Sequence, residues 1–311
     1  MTNFIKEITL NSAEEILSEL SPWLNGGKYK GYIFRGHSND QEFTLIPSSL
    51  RYDQREKLWD AAGGGMPEDD QIDWVHWQVY AELSTLRRFY KFSNMRGLKV
   101  PTSARIMNFL ADDIDFAFIM RSENIKWLPD DLIEIAALAQ HYGLPTRLLD
   151  WTFDPIVAAY FSAASHKEHG GSLSIWCLNR SAITTNRAIG RDLGVRFIIP
   201  HYADNSNIAA QSGLFTHFPI DVLAPMDDAL QFMNGNNPKT DRTPLDVLLA
   251  DRAKRINIDN EFNAITKISA PFSLARDLVK VLIDFNYGAS KLFPGYEGVV
   301  REMIDIGKIY S

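Results

Sequence analysis

Leu-Ala-Gln-His-Tyr-Gly-Leu-Pro-Thr-Arg-Leu-Leu-Asp-Trp-Thr-Phe-Asp-Pro-Ile-Val-Ala-Ala-Tyr-Phe-Ser-Ala-Ala, residues 138–164, joins two apolar helical patterns through a polar loop. On its N-terminal side, Pro129 and Asp130 start a helix that turns Leu132, Ile135, Ala136 and Ala139 inward. That helix ends near His141, just before Gly143, the residue type that closes helices in the left-handed conformation. On its C-terminal side, Asp154-Pro155 is a helix start, because Asp caps free N–H groups and Pro is tolerated in the first turn. Ile156, Ala159, Tyr160 and Ala163 then form a buried face whose small residues imply close packing. The loop itself carries His141, Tyr142, Thr146, Arg147, Asp150, Trp151 and Thr152. A titratable ring, a cation, a carboxylate and aromatics in so short a span read as a pocket wall.

Upstream, residues 11–20 read as a short amphipathic helix capped by Asn11 or Ser12. Pro22 and Gly26-Gly27 break the chain, and residues 31–36 read as a strand with Arg35 at its tip. The triplet Gly63–Gly65 is no phosphate cradle: no strand precedes it and no Lys-Ser or Lys-Thr follows. A helix over 71–92 puts Val75, Val79, Leu83, Leu86 and Tyr90 on one face, and Trp74 and Trp77 read as core. Another is expected over 103–119, with Asp112, Asp113 and Asp115 on its solvated side rather than as metal ligands.

Downstream, His166 and His169 fall in a glycine-bounded turn, read as exposed rather than metal-binding. Strands are expected over 173–178, 196–199 and 265–269. Residues 207–216 read as a polar approach to a short strand. Pro271 opens a helix with Leu274, Leu278, Val281, Leu282 and Phe285 aligned, and Gly288 stops it. These elements give an α+β chain forming one domain over 1–311. Its core spans 31–300, with a helical insertion at about 70–135 and a variable loop region at about 221–262 that holds one short helix near 245–253.

Composition bounds the function. The chain of 311 residues is 45% hydrophobic and 12% aromatic, which suits a sizeable core. Its net charge of −7 argues against a broad nucleic-acid footprint. No apolar run is long enough to span a bilayer, and the N-terminus lacks signal-peptide form, so a cytoplasmic location with no membrane partner is expected. Cys177 is the sole cysteine, so an internal disulfide and a cysteine zinc cluster are excluded; it reads as a core residue.

Arg35, His141, Arg147, Asp150, Thr152 and Gln211 are the residues with chemistry to offer. Two guanidiniums match phosphate oxygens, His141 can move a proton near neutral pH, Tyr142 and Trp151 can stack on a ring, and Asp150 can accept from ribose hydroxyls. That set describes a nucleotide ligand. The structural alternative is that Arg147 and Asp150 pair, Tyr142 and Trp151 plug the core, His141 caps its helix, and Arg35 holds a buried carboxylate.

The motifs also resemble a known family. Tyr32-Ile33-Phe34-Arg35-Gly36 with 45–51 (Leu-Ile-Pro-Ser-Ser-Leu-Arg) resembles the opening of the FRG domain, a bacterial domain named for Phe-Arg-Gly. Residues 140–152, continued by Pro155 and 158–161, resemble its most characteristic block. Residues 210–216, 268–271 and 292–298 resemble its later blocks.

The order of motifs is further similar to that of ADP-ribosyltransferases. The likeness implies small mixed or antiparallel sheets and NAD as substrate, without a metal. Activity would be ADP-ribosyl transfer to a macromolecular acceptor, or NAD cleavage, in a toxin or phage-defence effector. By that likeness Arg35 meets the phosphate or ribose, Thr152 supports the nicotinamide side and Gln211 sits near the acceptor or ribose; Gly36, Tyr142, Thr146, Arg147 and Trp151 complete the cofactor-binding candidates. Arg35, His141, Asp150 and Gln211 are the catalytic candidates. Ser212 or Gly213 stands where that family has Glu. The departure implies that Asp150 replaces the Glu, or that the domain recognises a nucleotide or protein without reacting. A nucleic-acid-directed effector is the third reading.

Overall fold

The computed structural model describes residues 4–68, 71–102, 104, 107, 124–164, 170–223, 227, 230, 233–235, 237–258 and 264–310. Most of the helix expected over 103–119, together with Asp112, Asp113, Asp115, His166 and His169, lies outside them.

In chain order the described strands are β1 (Ile5–Thr9), β2 (Ile33–His37), β3 (Ile125–Trp127), β4 (Leu149–Thr152), β5 (Ser172–Leu178), β6 (Arg196–Ile198), β7 (Gly213–His217), β8 (Ile220–Val222) and β9 (Ile265–Pro271). The described helices are α1 (Ala13–Leu20), α2 (Arg55–Ala62), α3 (Val75–Met95), α4 (Ile133–His141), α5 (Pro155–Ala163), α6 (Arg180–Ala188), α7 (Ser206–Ala210), α8 (Leu245–Arg255), α9 (Ala275–Asp284), α10 (Ala289–Leu292) and α11 (Tyr296–Tyr310). Among the described residues no helix is long and apolar enough to cross a membrane.

The architecture is α+β. One seven-stranded sheet runs β1-β9-β5-β2-β4-β7-β6, and β3 pairs with β8 in a separate ribbon. The large sheet is mixed: β1 lies parallel to β9, while β9–β5, β5–β2 and β2–β4 are antiparallel. It is wider than the small sheets that the motif order implies. Residues 149–152, read from sequence as part of a polar loop, form a strand inside this sheet. Phe285, expected on the inward face of α9, is exposed.

The chain divides into two units. The first holds residues 1–45, 150–216 and 244–311, and so most of the large sheet. Its core lies on one sheet face, where α1, α5 and α9 pack. Ser12 accepts from the Glu15 N–H and starts α1, whose Ala13, Ile16 and Leu20 are buried. Asp154 accepts from the Ile156 N–H at 2.8 Å and starts α5, with Pro155 in the first turn. Strand register gives this face the rows Phe34–Cys177–Thr266 and Gly36–Ile175–Ile268.

Burial pushes the Cys177 thiol well above its ordinary range. The native protein is therefore expected to resist iodoacetamide at neutral pH and to react once unfolded. Rapid native alkylation, read by mass, would contradict this placement.

The second unit holds residues 46–149 and 217–243. Here α3 buries Val79, Leu83, Leu86 and Tyr90, and the same buried side carries Gln78 and Glu82. Glu82 accepts from Arg147 Nε at 2.9 Å, Ser49 Oγ at 2.7 Å, Gln78 Nε2 at 2.9 Å and Trp127 Nε1. The side chains of Glu82 and Arg147 are 4% and 5% exposed, so this is a buried ion pair fed by neutral donors.

Candidate functional site

In a strand, neighbouring side chains leave opposite faces, and directly paired residues share one. A Cβ on Gly36 would meet the Ala158 carbonyl oxygen at 2.0 Å, so the side carrying Gly36 and Phe34 faces α5. Arg35 and His37 therefore leave the other face. Register aligns two rows there: Arg35–Trp176–Lys267 and His37–Ser174–Ser269, beside the apolar row Ile33–Leu178–Ile265. A polar strip thus runs across β2, β5 and β9, opposite the hydrophobic core.

Lys267 lies at one end of the strip, and Arg35 and His37 at the other. Lys267 lies 3.4 Å from Asp40 and 5.3 Å from the Trp176 ring centroid. Asp246, at the start of α8, has its carboxyl raised by burial, and the Lys267 charge partly offsets that rise. Asp40 thus pairs with Lys267 and ties down the segment after β2. Phe43 of that segment packs on the His37 ring, with centroids 5.9 Å apart.

At the other end, Arg35 Nε donates to His37 Nε2 at 2.8 Å. Arg35 Nη1 donates to the Asp150 carbonyl oxygen at 2.7 Å and lies 3.4 Å from its carboxylate. The Asp150 side chain is 59% exposed and that of Arg35 16%. An ion pair this exposed contributes at most about 1 kcal/mol, so an anionic ligand can compete for the guanidinium. The Trp176 indole N–H and the Ser174 hydroxyl are buried and have no hydrogen-bond partner among the described residues. Such orphans are uncommon in native proteins.

The other expected site residues fall elsewhere. Thr152 pairs with Phe34 and so belongs to the α5 side. Its hydroxyl donates to the Gln211 carbonyl at 2.6 Å and accepts from the Asp154 N–H at 2.9 Å. Gln211 Nε2 donates to the Leu292 carbonyl at 3.0 Å. The Thr152 hydroxyl and the Gln211 side-chain amide are thus both engaged with backbone. Gly36 is filled by helix backbone, and Trp151 is buried, donating to Thr216 Oγ1 at 2.9 Å.

In the second unit, His141 ends α4 with its ring 5.1 Å from that of Tyr142, which is exposed. Thr146 is buried and bonded to Gln140 and the Leu148 N–H. Arg147 lies against Glu82 beside a void of about 10 Å³, room for no more than a water.

Sequence reading missed His37, Trp176 and Lys267. The expected strand stopped at Gly36, whereas β2 runs on to His37, and that extension puts His37 two residues from Arg35 on one strand. Among the described residues no group of His, Cys, Asp and Glu is arranged to hold a metal ion.

Residues 30–170 match the model of the FRG domain. No curated protein and no solved structure matches the chain.

Proposed function

We propose that this FRG-domain chain binds a nucleotide at the Arg35–Asp150 corner, with NAD the ligand to test first. One observation carries the reading: a guanidinium held by His37 and the Asp150 carbonyl stands beside an exposed carboxylate. Arg35 pairs with the phosphate, and Asp150 accepts from ribose hydroxyls.

The exposed Asp150 also favours a catalytic version. In it, the bond from the ribose anomeric carbon to the nicotinamide nitrogen breaks and its electron pair leaves with nicotinamide. An acceptor hydroxyl or water adds to that carbon and gives its proton to Asp150. Thr152 and Gln211 take no part, since their polar atoms hold the fold.

Calorimetry with NAD on native protein, Arg35→Ala and Asp150→Asn tests the binding. A charge-assisted contact of about 1.5–3 kcal/mol predicts that Arg35→Ala weakens binding ~10- to 100-fold. Nicotinamide release, and a mass increment on macromolecules of a lysate, test the chemistry. Release by native protein but not by Asp150→Asn supports transfer or cleavage. Binding without release leaves a recognition domain. Absence of NAD binding by the native protein overturns the reading.

A further inference from the structure

On the α5 side of the sheet, within the first unit, lies a second feature that the Arg35 corner does not use. A cavity of about 400 Å³ is walled by Tyr29, Tyr32, Phe34 and Phe153, with Lys30 and Arg180 among its lining residues. Its size is within the range of small-ligand sites. The aromatic wall is built: Tyr29 meets Tyr32 and Phe34 edge-on, at centroid distances of 5.2 and 6.0 Å. Burial pushes both tyrosine phenols above their ordinary range, so they remain neutral. Tyr29 donates its proton to Glu19, an acid that also pairs with Lys28. The lining residues include no acid.

Arg180 is the informative residue. It begins α6, and its guanidinium lies over the Phe153 and Phe197 rings at 5.6 and 5.9 Å. Its Nε is buried and has no hydrogen-bond partner among the described residues. A guanidinium carries five donors, and ring faces satisfy its charge without satisfying its N–H groups. A cation held between rings with free donors, in a cavity with aromatic walls and no acid, has the makings of a site for a flat anion.

We propose that this cavity binds an aromatic ring bearing an anionic group, the ring against Tyr32 and Phe153 and the anion on Arg180. The probe is AMP, measured by calorimetry against adenosine and inorganic phosphate. AMP is expected to bind at least ~10-fold more tightly than either. Arg180→Gln and Phe153→Ala are each expected to weaken AMP at least ~10-fold, with thermal unfolding compared to confirm folding. Because AMP carries the phosphate and ribose that the Arg35 corner would take, the titrations are repeated in the Arg35→Ala background, where AMP binding that persists and is lost on adding Arg180→Gln belongs to this cavity. The proposal is overturned by absence of AMP binding, by equal binding of phosphate alone, or by binding that Arg35→Ala abolishes and Arg180→Gln does not alter.

Discussion

Glu82→Ala is expected to destabilise the protein by about 3–5 kcal/mol, read as a lower urea midpoint. The size follows from what is left behind. Arg147 is 5% exposed and would keep its charge with no carboxylate against it. Ser49 Oγ, Gln78 Nε2 and Trp127 Nε1 would lose their shared acceptor in the same step. Replacing both partners together, as in Glu82→Leu with Arg147→Met, should cost less than Glu82→Ala alone, since no buried charge remains.

Acid should reproduce part of the loss. Burial works to raise the Glu82 carboxyl, but the Arg147 charge and the hydrogen bonds from Arg147, Gln78 and Ser49 together hold it below its ordinary 4.5. A carboxyl depressed on folding contributes its full stability above the unfolded value, and loses it as pH falls through the folded one. The acid limb of the native stability profile should therefore flatten in Glu82→Gln. A cost under ~1 kcal/mol for Glu82→Ala would mean that Arg147 finds water.

How much of this was legible from sequence depended on how local the cause was. The Asp154-Pro155 start, the Ser12 cap and the face of α3 come from residues within a turn or two of one another, and all three are present. The strand β4 was not legible. It has four residues, two of them polar, behind a segment punctuated by Gly143 and Pro145, and its strand state comes from neighbours far along the chain. β1 was missed for the same reason, since its partner β9 begins at Ile265.

The site divides along the same line. Arg35 as a cation on this strand was readable, although β2 runs on to His37 and so puts it mid-strand rather than at the tip. Its neighbours Trp176 and Lys267 depend on register across three strands, which residue types alone do not specify. Arg147 shows the converse. Its cation looked available for phosphate, but a carboxylate 65 positions away claims it. The clue was Glu82 itself, an acid on the apolar side of α3 among Val79, Leu83 and Leu86. A buried charge needs a partner of opposite sign.

Gly36→Ala is expected to cost about 3 kcal/mol or more, or to leave the protein insoluble. The glycine is not there for backbone freedom, because its φ lies outside the left-handed region. It is there for space. A Cβ would sit 2.0 Å from the Ala158 carbonyl oxygen and 2.6 Å from the Ser162 nitrogen, both backbone atoms of α5. No rotamer change relieves a clash with backbone, so the whole helix must lift from β2. That would open the apolar rows through Phe34, Cys177, Ile175 and Ile268. Gly307→Ala is the control: it lies inside α11 with nothing within 4 Å, and helix propensity alone should stabilise it by ~0.5–1 kcal/mol. Thermal unfolding of both variants decides between two roles for the Gly of Phe-Arg-Gly. A stable Gly36→Ala that has lost nucleotide binding would mean that Gly36 faces ligand. Loss of the fold in Gly36→Ala but not in Gly307→Ala would assign it to helix packing, and Arg35 alone to the ligand.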